Sequence, residues 1–86
     1  MAEKEKKPIG EVTHFYDKLG VAIVKFKREV KVGETVRFTG ANTDFEQTIG
    51  SMQFDHKSVD KASKGKEVGI KVDEKVHEGN EVFEID

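Results

Sequence analysis

The sequence predicts an all-β domain, a small closed antiparallel barrel of six to seven strands. Short segments rich in β-branched and aromatic residues recur along its 86 residues, separated by Gly, Asn and Asp turn signals. Several of those segments alternate apolar and polar residues with the two-residue period of a strand. No segment carries the apolar repeat of a long amphipathic helix, which argues against a βαβ arrangement. Closure into a barrel is preferred over an open sheet because it leaves few exposed strand edges in so short a chain.

The charged leader Met1-Ala2-Glu3-Lys4-Glu5-Lys6-Lys7 and Pro8 make residues 1–8 an expected disordered tail, with the folded domain over 9–86. Pro8 lacks a backbone donor and suits a strand entry. Ile9 to Tyr16 is the first strand, and Asp17-Lys18-Leu19-Gly20 turns the chain, with Gly20 free to take a positive φ. Val21 to Lys27 forms the second strand, with Lys25 and Lys27 towards water. In the link that follows, Val30 and Val32 are expected to pack beneath the loop while Gly33 makes the turn.

Thr35-Val36-Arg37-Phe38-Thr39 alternates cleanly, placing Val36 and Phe38 inward. Gly40 to Asp44 is a loop by composition. Phe45 to Phe54 reads as one long strand whose apolar phase changes near Gly50, as a bulge or a barrel corner would produce. Asp55 to Ala62 is a polar corner in which Val59 and Ala62 anchor at most one helical turn. Val68, Ile70 and Val72 point one way in the next strand, Val76 tucks in, Glu78-Gly79-Asn80 turns, and Glu81 to Ile85 closes the domain. Val36, Phe38, Ile49, Val68, Ile70 and Val82 are expected to be buried together.

With 15 Lys and Arg against 17 Asp and Glu, the net charge is -2. That balance argues against holding duplex DNA by bulk electrostatics, which needs a basic excess. No apolar run approaches the roughly 20 residues of a membrane span, and the amino terminus lacks a signal-peptide core. A cytoplasmic location is the expectation. The absence of cysteine removes thiol catalysis and Cys-based zinc sites, and fits a reducing compartment.

His14, His56 and His77 stand alone, none at metal-ligand spacing, so no metal is expected. Ser51, Ser58 and Ser63 lack a nucleophile-elbow context, and Gly65-Lys66 lacks the flanks of a phosphate loop. No catalytic residues and no cofactor are therefore expected, and the chain reads as a binding module rather than an enzyme. Lys57, Lys61, Lys64 and Lys66 cluster beside Phe54 and His56. Two readings of that corner stand: a solvated turn, diluted by Asp55, Asp60 and Glu67, or a patch that holds a phosphate and stacks a base.

Six short motifs occur in order: Gly10-x-Val12; Val30-Lys31-Val32-Gly33-Glu34-Thr35-Val36; Ile49-x-Ser51-Met52-Gln53; His56-Lys57-x-Val59-Asp60-x-Ala62; Gly65-x-x-Val68-Gly69-Ile70; and Val76-x-x-Gly79-Asn80-x-Val82. Together they resemble domain 2 of the translational GTPases, the β-barrel of elongation factor Tu and bacterial initiation factor two. The C-terminal barrel of the peptidase U32 family is similar too. In elongation factor Tu this barrel helps hold the acceptor end of aminoacyl-tRNA, through a glutamate beside the terminal adenosine, then an arginine and a lysine. By position those match Gln53, His56 and Lys57.

The resemblance implies a free-standing translation-factor-like module without a GTPase domain. Its expected partner is RNA, a tRNA acceptor end or rRNA, or else a ribosomal or translation protein. Gln53, His56, Lys57 and Lys64 are the expected contact residues. The alternative is a protein-interaction module docking on a larger translation or RNA-modifying enzyme.

Overall fold

The computed structural model describes residues 7–85, and those residues are all-β, with ten strands and no helix. The strands are β1 (Gly10–Tyr16), β2 (Val21–Phe26), β3 (Val30–Lys31), β4 (Thr35–Gly40), β5 (Thr43–Thr48), β6 (Met52–Phe54), β7 (Lys57–Val59), β8 (Lys61–Ala62), β9 (Glu67–Lys71) and β10 (Glu81–Glu84). Most of the tail expected over residues 1–8 lies outside the described residues. From Ile9 onward the chain is tied down, its N–H donating to the Val82 carbonyl at 2.7 Å.

Eight strands form one antiparallel sheet in the order β5-β4-β10-β1-β2-β9-β6-β7, and β3 pairs with β8 in a second. The expected closure is not made by strand pairing: among the described residues the ladder ends at β5 on one side and β7 on the other. Backbone hydrogen bonds stitch the gap instead. Ile49 follows β5, donates to Glu34 at 2.9 Å and accepts from Gly33 at 2.9 Å, while Val32 donates to Asp60 at 2.9 Å. These bonds carry the β5 end to the β3–β8 ribbon, which leads back to β7. The single strand expected from Phe45 to Phe54 is broken for the same reason. At Ile49 the backbone leaves its β4 neighbour to bond the turn before it.

One apolar cluster fills the curl, and it holds Val36, Phe38, Ile49, Val68, Ile70 and Val82 as expected. Phe26, Met52, Val12, Val24, Val30, Val76, Ala22 and Ala62 are fully buried in it too, and Phe45 stacks on Phe38 with ring centroids 5.1 Å apart. Val30 is buried beneath the loop as expected. Val32 is not, because its N–H must reach Asp60 while its side chain turns to solvent. Gly20 takes the expected positive φ of 67°.

Two local departures from regular pairing matter for the surface. In β1 the register slips between Val12 and His14, so that Val12 faces the core beside Val24 while His14 pairs with Ile23 and Tyr16 with Val21. The extra residue inverts the alternation. Phe15 then packs on the core, and His14 and Tyr16 stand on the outer face. The second departure is the β6–β7 connection. The polar corner holds no helical turn and opens with a two-residue hairpin, with Asp55 at φ 58° and His56 at φ 67°. Positive φ at both central residues is the twist that tight hairpins prefer, and non-glycine residues rarely adopt it.

Candidate functional site

Strand register brings residues from five strands into line on the outer face. His14 of β1 lies across from Ile23 of β2, Ile23 from Gly69 of β9, Gly69 from Gln53 of β6, and Gln53 from Ser58 of β7. Gly69 has no side chain, so the row dips there. A Cβ at that position would lie 3.2 Å from the Val21 side chain and 3.5 Å from that of Ile23. The dip is the floor of an open groove of about 340 Å³, lined by Tyr16, Leu19, Val21, Ile23, Gln53, Asp55, His56, Glu67 and Gly69.

Each wall follows from local structure. The β1 slip supplies Tyr16, and the Asp17–Gly20 turn projects Leu19, which is 63% exposed. Tyr16 is 46% exposed, and its ring lies 4.4 Å from that of His14, centroid to centroid, at 58°. His14 Nδ1 is itself 3.1 Å from a Glu78 carboxylate oxygen. Across the groove, the left-handed hairpin holds Asp55 and His56 at the rim. Glu67 closes one end, where it accepts from the Thr13 hydroxyl at 3.3 Å.

The four expected contact residues do not form one surface. Gln53 and His56 line this groove. Lys57 pairs with Phe54, one residue out of phase with Gln53, and therefore projects from the opposite face of the hairpin. Phe54 is 41% exposed there, with the Lys66 ammonium 5.6 Å from its ring centroid. Lys64 sits in another turn and lines a separate groove with Glu11, Lys25, Phe26, Lys27 and Gly65. The cationic corner of the sequence is thus divided among three directions. Nearness in sequence suggested a cluster that the two-residue strand period takes apart. Tyr16 and Leu19 were missed as groove residues because nothing in the composition of the first strand marks its bulge.

The molecule is therefore a small all-β module with open surface grooves, and among the described residues no group of three or more His, Cys, Asp or Glu is placed to hold a metal ion. Residues 4–80 match the model of the peptidase family U32 C-terminal domain, and the chain belongs to that family. An uncharacterized protease of Methanocaldococcus jannaschii is 40% identical over 76 residues, which cover 87% of this chain and 19% of that protein. A collagenase of Porphyromonas gingivalis is 28% identical over 87 residues, covering 99% of this chain and 21% of that protein. The chain thus spans about a fifth of the length of these relatives.

The crystal structure of the C-terminal domain of a Geobacillus thermoleovorans protein assigned to the U32 peptidases shares the fold. Its TM-score is 0.85 at 21% identity, with 99% of this chain and 100% of that one covered. The selenomethionine variant of that domain gives a TM-score of 0.86 at 22% identity over 92% of this chain and 100% of that one.

These findings support the U32 part of the resemblance and overturn the function drawn from its translational part. The chain is a U32 C-terminal domain, not a translation-factor-like module. Neither the RNA-contacting role nor the docking on a translation or RNA-modifying enzyme stands. The misleading motifs are turn glycines and alternating valines, which mark a small β fold more than a ligand.

Proposed function

We propose that this chain is an accessory module of a U32 peptidase, engaging polypeptide beside the catalytic part and supplying no nucleophile, acid or base of its own. The observation that carries this reading is the family match over residues 4–80 in a chain about a fifth the length of relatives named as a protease and a collagenase. Most of each relative lies outside the matched region, leaving ample chain for a separate catalytic part. The described surface fits the same reading. Its ionisable groups are dispersed over exposed strand faces and turns, and its grooves are shallow and open.

The direct test is hydrolysis of fluorescently labelled gelatin and casein by the purified 86-residue chain. No cleavage above buffer is the expected result. In the full-length M. jannaschii relative, removal of the matching C-terminal region is expected to change the apparent KM for a polypeptide substrate more than kcat. Cleavage that co-purifies with the isolated chain would overturn the proposal.

A further inference from the structure

We propose that the groove around Gly69 is a peptide subsite. It takes an extended segment of a substrate polypeptide in which an aliphatic or aromatic side chain stands next to Lys or Arg. This rests on the accessory reading above and names what the module would recognise. The register Ile23–Gly69–Gln53 sets the shape of the groove. The missing side chain on β9 leaves a shallow slot over Gly69, bordered by the Val21 and Ile23 side chains, which come within 3.2 and 3.5 Å of where a Cβ would sit. The open groove of about 340 Å³ above it has room for one side chain of a passing strand.

The chemistry of the lining selects the occupant. Val21 and Ile23 are half-buried aliphatics, and exposed Leu19 and Tyr16 extend that apolar wall to solvent. The lining contains the carboxylates of Asp55 and Glu67 and no Lys or Arg, although the chain as a whole carries 15 of them. Lys57 and Lys66 belong to the Phe54 side of the hairpin, while Lys25 and Lys71 stand across from Glu67 and Val21 on the groove's own face but outside its lining. At the lining itself, an apolar wall beside the Asp55 and Glu67 carboxylates complements a hydrophobic residue next to a cation. The rim is also held in an uncommon conformation. Two successive non-glycine residues, Asp55 and His56, occupy the left-handed region where a hairpin is ordinarily served by Asn-Gly. Strained positions of this kind gather at binding sites.

Tyr16 is the only tyrosine and the chain has no tryptophan, so intrinsic fluorescence reports on this groove alone. The 86-residue chain is titrated with three blocked tetrapeptides, acetyl-Gly-Leu-Lys-Gly-amide and its Leu-Glu and Ser-Lys counterparts, while amide shifts of Ile23, Gln53 and Gly69 are followed by NMR. Saturable binding is expected for the Leu-Lys peptide. Loss of the leucine side chain is expected to weaken it about ten-fold, and each rim charge removed, by D55N or E67Q, roughly two- to five-fold.

Gly69→Ala narrows the slot against Val21 and is expected to lower affinity with an unchanged far-UV CD spectrum. Lys57→Glu, on the other face, is expected to leave affinity within error. Three results would overturn the proposal. One is the absence of both a saturable Tyr16 response and amide shifts at millimolar peptide. Another is equal binding of the Leu-Glu peptide. The third is a Tyr16 response that follows protein concentration, which marks a second copy as the occupant. A failure here with no hydrolysis by the isolated chain removes the subsite and leaves the accessory reading standing.

Discussion

Glu34 accepts the Lys31 N–H through one carboxylate oxygen at 2.9 Å and the Arg28 guanidinium through the other at 3.1 Å. Arg28 also reaches Glu84 at 3.0 Å, so one arginine ties the turn before β4 to the end of β10. Partial burial by itself pushes the Glu34 carboxyl upward. The Lys31 N–H and Arg28 outweigh that and hold it below the usual carboxylate range. A carboxyl whose folded value is lowered contributes stability that is present above its unfolded value and lost as pH falls through the folded one. Glu34→Gln is therefore expected to lower stability by roughly 0.5–1 kcal/mol at neutral pH. It should also flatten the acid limb between about pH 5 and 3, as urea midpoints across that range would show. At the hairpin, His56→Gly is expected to raise the thermal midpoint, because glycine relieves a left-handed conformation that costs about 1 kcal/mol or more in other residues. Loss of the imidazole from the rim of the groove would accompany that gain, a trade between stability and function read by pairing calorimetry with the peptide titration.

Among the strands, β9 joins the two halves of the molecule. It pairs with β2 on one side and β6 on the other, and its Ile70 lies between Ala22 and Met52 in the core row. Truncation there removes buried aliphatic surface from both neighbours. Ile70→Ala is expected to cost about 2–5 kcal/mol, while Lys71→Ala, one residue away and exposed, should stay within about 0.5 kcal/mol. Urea denaturation separates the two. A drop of the larger size is a large part of the roughly 5–15 kcal/mol that holds a domain of this class together, so partial unfolding of Ile70→Ala at room temperature is the expected extreme. The same strand builds the outer groove, since Gly69 faces away from the core that Val68 and Ile70 enter.

At the scale of the whole fold, the unclosed ladder leaves two open edges among the described residues, β5 and β7. Both carry exposed charges: Asp44 and Glu46 on β5, and Lys57 on β7. Asp44 is also bonded to Arg37 of the neighbouring strand at 2.8 and 2.9 Å. Charges on an edge discourage pairing with another copy. Replacing Asp44 and Glu46 together by Val is expected to leave the core intact and raise static light scattering with protein concentration. Without cysteine the core rests on packing alone, which makes such protection more important in a chain of 86 residues.

The sequence by itself determined the strand class, most of the inward face and many of the turns. Val36 with Phe38 and Val68 with Ile70 alternate without interruption, and a two-residue period assigns sides locally. Gly20 marks its turn because few other residues tolerate its φ. Long-range pairing decided the rest. One slip at Thr13 moved Tyr16 to the outer face, two left-handed residues made the polar corner a hairpin, and Ile49 left its strand to bond a distant turn. Lysines close in sequence separated because adjacent strand residues face opposite ways, while His14, Ile23, Gly69 and Gln53 came into line because four strands share a register, with Tyr16 in the next row. Local alternation fixes which side chains enter the core, whereas a groove on the outer face exists only once separate strands have been aligned.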